Sequence, residues 1–63
     1  MAKVGDKYTL FGTDNIFDIT NGDGTNWVIK IITPQLIEVD VAMSDIDLTD
    51  SIIKGYLHLQ NSS

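Results

Sequence analysis

The chain has 63 residues, with nine acidic side chains, four lysines, no arginine, no cysteine and one histidine, for a formal net charge of −5. That length fits one small domain. The missing cysteines exclude a disulfide framework and a thiolate zinc site, and four scattered lysines cannot form the basic patch of a nucleic-acid binder.

The hydrophobic fraction is 43% and the charged fraction 21%, which sets the chain apart from disordered sequences despite its negative balance. A chain this short buries only about 60% of the surface its unfolded form exposes. With no disulfide or evident metal to reinforce a small core, self-association is the remaining common means, so a homo-oligomer is expected. The longest apolar run, Trp27 to Ile32, is interrupted by Lys30 and is far too short to span a bilayer. No apolar leader follows Met1. A soluble, cytoplasmic protein is therefore expected.

In chain order, the first predicted strand covers Val4 to Phe11, with Val4, Tyr8 and Leu10 on one face and Lys7 and Thr9 on the other. Gly12-Thr13-Asp14-Asn15 reads as a turn. Ile16 to Thr20 is a short second strand with Phe17 and Ile19 on one face. Asn21-Gly22-Asp23-Gly24-Thr25 holds both Asn-Gly and Asp-Gly, which tolerate positive φ in tight hairpins. The third strand, Asn26 to Thr33, is apolar on both faces: Trp27, Ile29 and Ile31 line one, and Val28 and Ile32 flank Lys30 on the other. Thr33-Pro34-Gln35 turns the chain. The fourth strand, Leu36 to Ala42, turns Ile37, Val39 and Val41 inward and Glu38 and Asp40 outward.

Ser44, followed by Asp47 three residues later, has N-cap character, and Gly55 could end a helix begun there. Ile46 and Leu48 fall on different helical faces, so only a short helical turn over 44–50 is expected. Ile53, Gly55, Leu57 and Leu59 then alternate with Lys54, Tyr56, His58 and Gln60, which predicts a fifth strand over Ser51 to Leu59. The domain is assigned to residues 1–60, with 61–63 as a polar tail. Asn61-Ser62-Ser63 has glycosylation-sequon spacing but carries no weight on such a tail.

Four strands in a meander, a helical turn and a fifth strand predict a mainly β fold, a small five-stranded antiparallel barrel. This strand order resembles the Src-homology-type small barrel, in which a helical turn also separates the last two strands. The resemblance covers strand order alone; no ligand-groove motif accompanies it, so it implies a fold and no function. An oligonucleotide-binding barrel fits less well, since it needs a basic, aromatic face.

Two strings suggest chemistry. Asp45-Ile46-Asp47-Leu48-Thr49 resembles the D-x-D-x-T nucleophile motif of haloacid-dehalogenase-type phosphatases, in which the first Asp attacks phosphorus and the second is the acid/base. Those enzymes need a doubly wound domain and further Lys and Asp positions that 63 residues do not supply. Asn21-Gly22-Asp23-Gly24 resembles the middle of an EF-hand loop. With Gly24 at loop position six, Ile19 and Lys30 occupy positions one and twelve, where the metal needs carboxylates. Neither catalytic residues nor a metal site nor a cofactor is assigned. His58 lacks partner groups and reads as a solvent-facing strand residue.

Glu38, Asp40, Asp45, Asp47 and Asp50 lie within one stretch of thirteen residues. With Tyr56, an aromatic anchor beside Lys54 and His58, they are the expected protein-binding residues, facing a partner with a basic surface. Val28 and Ile32 are the expected self-association residues. The function expected is a non-enzymatic acidic protein-binding module. It is comparable to inhibitors that phages and other mobile elements direct at host defence or nucleic-acid-handling proteins. A self-assembling structural subunit is the alternative, and an oligomeric small-ligand binder with an inter-subunit site a remote one. Neither nucleic acid nor membrane is an expected partner.

Overall fold

The computed structural model describes residues 2–60, so the expectations for the tail at 61–63 lie outside the described residues. The elements run β1 (Lys7–Leu10), β2 (Ile16–Gly22), β3 (Asn26–Ile32), β4 (Glu38–Ser44), α1 (Asp45–Ile53) and β5 (Leu57–Leu59). The five strands form one antiparallel sheet in the order β4-β3-β2-β1-β5. The mainly β fold and the single helix before the last strand agree with the sequence reading. The expected barrel closure is not found: β4 and β5 do not pair, and α1 alone contacts both outer strands.

Register makes one face apolar. Tyr8 lies opposite Phe17, Phe17 opposite Ile31, Ile19 opposite Ile29, Ile29 opposite Val41, and Leu10 opposite Leu57. Tyr8, Phe17, Ile19, Trp27, Ile29 and Leu57 are buried on this face, and Leu48 of α1 closes over them with no exposed surface. The same pleat sends Lys7, Asp18, Lys30 and Asp40 to the opposite face in one cross-strand row.

The region after β4 differs most from expectation. The helical turn over 44–50 is a full helix reaching Ile53, and the strand expected from Ser51 begins only at Leu57. The cause is a pair of caps. The Ser44 side chain accepts the Asp47 N–H at 3.1 Å, and Asp45 and Asp47 in the first turn suit the helix dipole. At the other end Gly55 takes φ +81°, while its N–H reaches the Ile52 carbonyl and the Tyr56 N–H reaches that of Ser51, a Schellman closure. Ile46, whose spacing from Leu48 argued against a longer helix, and Ile53, expected in a strand, lie on the solvent side of this helix. Leu48 and Ile52, one turn apart, face the core.

Three boundaries also move. Val4 to Asp6 form a turn in place of strand, with the Asp6 N–H donating to the Lys3 carbonyl. The second strand runs on to Gly22 through a bulge between Ile19 and Asn21. The fourth strand begins at Glu38, because Pro34, Gln35 and Leu36 form a three-residue loop closed by the Thr33 N–H to Ile37 carbonyl bond. Its inward parity is as expected, but Val39 is 52% exposed and Ile37 is more exposed still, because they lie beyond the reach of α1.

Trp27 ties the layers together. Its indole lies on the backbone of Gly22, where a Cβ would sit 2.2 Å from Cε3, and its Nε1–H donates to Asp45 Oδ1 at 2.9 Å. Gly22→Ala therefore forces the indole or the hairpin to shift. It should lower unfolding free energy by about 1–3 kcal/mol in urea titrations. A change within about 0.5 kcal/mol, the scale of a neutral surface substitution, would show that the indole does not need this contact.

Candidate functional site

The acidic stretch does not form one site. Glu38 and Asp40 project from the outer face of β4, whereas α1 packs on the inner face. Glu38 pairs with Lys30 at 3.3 Å, across the strand and one step along it. Asp45 holds the Trp27 indole, Asp47 lies in the helix first turn, and Asp50 pairs with Lys54 one turn on at 3.1 Å. The D-x-D-x-T string is thus helical, with its first carboxylate bound to an indole and its Leu48 in the core. Among the described residues no three His, Cys, Asp or Glu side chains are grouped to hold a metal ion. In the Asn21–Thr25 loop Asp23 Oδ1 accepts the N–H groups of Thr25 and Asn26 at 2.9 and 3.0 Å.

Two depressions of about 280 and 260 Å³ lie near the start of β1 and under the helix. Lys3, Asp6 and Lys7 line the first. There Asp6 accepts the Lys3 N–H at 3.1 Å, and Lys7 is engaged by Asp18 at 3.0 Å. The second is mostly aliphatic around Tyr8, Ile52 and Leu59. The Tyr8 hydroxyl is pushed above its ordinary value by burial first, then by the charge and hydrogen bond of Asp6.

Val28 and Ile32, expected to mediate self-association, share the outer face but sit on either side of Lys30. Ile32 pairs with Ile16 and is half-buried; Val28 faces Asn21 and Ala42 and is more open. Tyr56 is exposed, beside a still more open aromatic that sequence reasoning assigned to a strand, Phe11. The Phe11 N–H donates to the Tyr56 carbonyl at 2.7 Å, and its ring lies 6.5 Å from that of His58.

The feature without a local partner is the free side of β4. In the antiparallel ladder every second residue exchanges backbone bonds with its neighbour. The bonds Thr33 N–H to Ile37 carbonyl and Asp45 N–H to Thr25 carbonyl flank the β3–β4 ladder and set its phase. Val39, Val41 and Met43 therefore bond to β3, while Glu38, Asp40 and Ala42 turn their N–H and C=O groups to the open edge. No backbone group among the described residues meets them. Beside this edge Leu36 is 78% exposed and adopts φ +64°, a conformation that favours glycine or asparagine. Proline two residues before it was the available signal, since Pro at the second turn position places the left-handed residue at the fourth.

No protein-family model matches the chain, and neither a curated protein nor a solved structure matches it.

The Asp23 carboxyl is held below its ordinary value of 3.8, first by the Asn26 N–H and then by that of Thr25. A carboxyl lowered in the folded state stabilises the fold above its unfolded value, and that contribution is lost as pH falls through the folded value. Compared with Asp23→Asn, which keeps an acceptor but cannot titrate, the native chain should begin to lose relative stability as pH falls toward the ordinary value of 3.8 and go on losing it below that value. Urea midpoints of both proteins from about pH 6 to about pH 2 measure this. A difference between them that does not vary with pH would contradict it.

Proposed function

We propose that the protein is a non-enzymatic binding module that associates with other polypeptide through its open β4 edge. The observation that carries this reading is that edge itself: seven residues long, free of proline and bulge, with alternate backbone groups unpaired. Such an edge accepts an added strand, whose backbone gives affinity and whose alternate side chains give selectivity. Val39 offers apolar contact on one face, and Glu38 and Asp40 offer charge on the other. Leu36 supports the reading, because an exposed leucine in a left-handed conformation costs the isolated fold stability on both counts. The narrower use as an inhibitor of a host protein fits a partner edge carrying basic residues, with Glu38 and Asp40 opposite them.

A capped peptide alternating lysine and valine over the length of β4 is the probe. Added to isotope-labelled protein, it should shift the amide resonances of β4. Ala42→Pro deletes only an outward N–H, so it should fold and lose that response. Leu36→Asn should melt no lower than the native chain and bind more weakly. Shifts centred on Val28 and Ile32, or on Tyr56, would contradict the reading.

A further inference from the structure

We propose that the occupant of the β4 edge is a second copy of this chain, paired antiparallel about a two-fold axis at Val41. This rests on the edge reading above and adds the identity and register of the partner.

Outward-facing residues must meet outward-facing residues, so only a few two-fold registers are open to β4. Centring at Asp40 sets Asp40 against the partner's Asp40. Centring at Val39 sets Glu38 against the partner's Asp40. Both place carboxylate directly opposite carboxylate, which is destabilising. Centring at Ala42 avoids that, but β4 ends at Ser44, so it leaves Glu38 and Val39 with no strand residue opposite them. Centring at Val41 sets Asp40 against the partner's Ala42 and Glu38 against the partner's Ser44. Each carboxylate then meets one of the smallest side chains of the strand, and Glu38 keeps its own Lys30 at 3.3 Å.

The apolar face agrees. In that register Val41 meets the partner's Val41, and Val39, 52% exposed in the single chain, meets the partner's Met43. The strand end bearing Leu36 and Ile37 comes to the start of the partner's helix. There Ile46, at 80% exposure, is among the most open apolar side chains of the described residues. Four open apolar residues, Leu36, Ile37, Val39 and Ile46, thus gather at one two-fold interface. The two sheets become one continuous ten-stranded sheet, with both helices on the same face. This also supplies the reinforcement that a cysteine-free chain of this length lacks. The outer face of that sheet joins the acidic pairs of both copies into one surface.

The native chain carries no cysteine, so a single introduced thiol reports register without background. A non-hydrogen-bonded antiparallel pair has Cα atoms about 4.5 Å apart, within disulfide range. Val41→Cys should oxidise to a covalent dimer, whereas Ala42→Cys, which faces the partner's Asp40, should stay mainly uncrosslinked. If Val41→Cys folds poorly, the double variant Val39→Cys/Met43→Cys should form the same dimer through the 39–43 pairs. In sedimentation the native chain should dimerise at about 100 µM. Added salt should tighten the dimer, because each copy carries −5. Ala42→Pro should weaken it about tenfold or more, since one backbone donor is lost from each copy. Crosslinking through Ala42→Cys but not Val41→Cys would overturn the register. A native chain that stays monomeric while β4 still takes up the lysine–valine peptide would overturn self-pairing and leave the edge reading standing. A monomer whose β4 ignores the peptide would overturn both.

Discussion

The placement of everything else follows from the Trp27 indole. It lies on Gly22 within the β2–β3 hairpin and donates to Asp45, the first residue of α1. This bond ties the start of the helix, capped by Ser44, to the hairpin, and the Gly55 closure returns the chain to β5 at the other side of the sheet. Nine helical residues span at most about 14 Å at 1.5 Å per residue. Five strands at a spacing of about 4.8 Å are wider than that. One short helix, fixed at both ends, covers Tyr8, Ile19, Ile29 and Leu57 but cannot also cover the first half of β4. The exposure of Ile37 and Val39 is thus a geometric consequence of where Trp27 holds the helix.

The two sheet edges are managed differently. β5 has three residues, and short edge strands are poor templates. β4 has seven residues with an intact ladder on one side and, among the described residues, no paired strand on the other. Among the described residues its protection is Glu38 and Asp40, both on the outer face. Charges of one sign oppose pairing where they meet each other and permit it where they meet neutral or basic residues. The acidity of Glu38 and Asp40 therefore filters which strands, and which registers, the edge accepts.

Much of the fold was legible in the sequence, because pleating has a strict period of two. The inner set Phe17, Ile19, Trp27 and Ile29 and the outer set Glu38, Asp40 and Lys30 could be read directly. Residues 51–56 were misread because Ile53, Gly55 and Leu57 also have that period, while the signals for helix were two caps on either side of it. Only the structure shows that Ile46 faces solvent and Leu48 the core. The site was less legible. A sequence run such as Glu38 to Asp50 says nothing about which residues a strand-to-helix corner sends to opposite faces. Asp45 became an indole acceptor, Asp50 an intrahelical ion pair, and only Glu38 and Asp40 remain at the open edge. Edge status depends on which strands fail to pair, which local sequence does not encode.

The central claim is that β4 presents an open edge to another polypeptide. Amide hydrogen exchange along β4, followed residue by residue at high and low protein concentration, tests it most directly. At low concentration Val39, Val41 and Met43 should be protected by β3, and Glu38, Asp40 and Ala42 should exchange freely. At concentrations where the chain associates, Glu38, Asp40 and Ala42 should become protected as well. Protection of all six amides at low concentration would mean that the edge is already closed within one chain and would contradict the account.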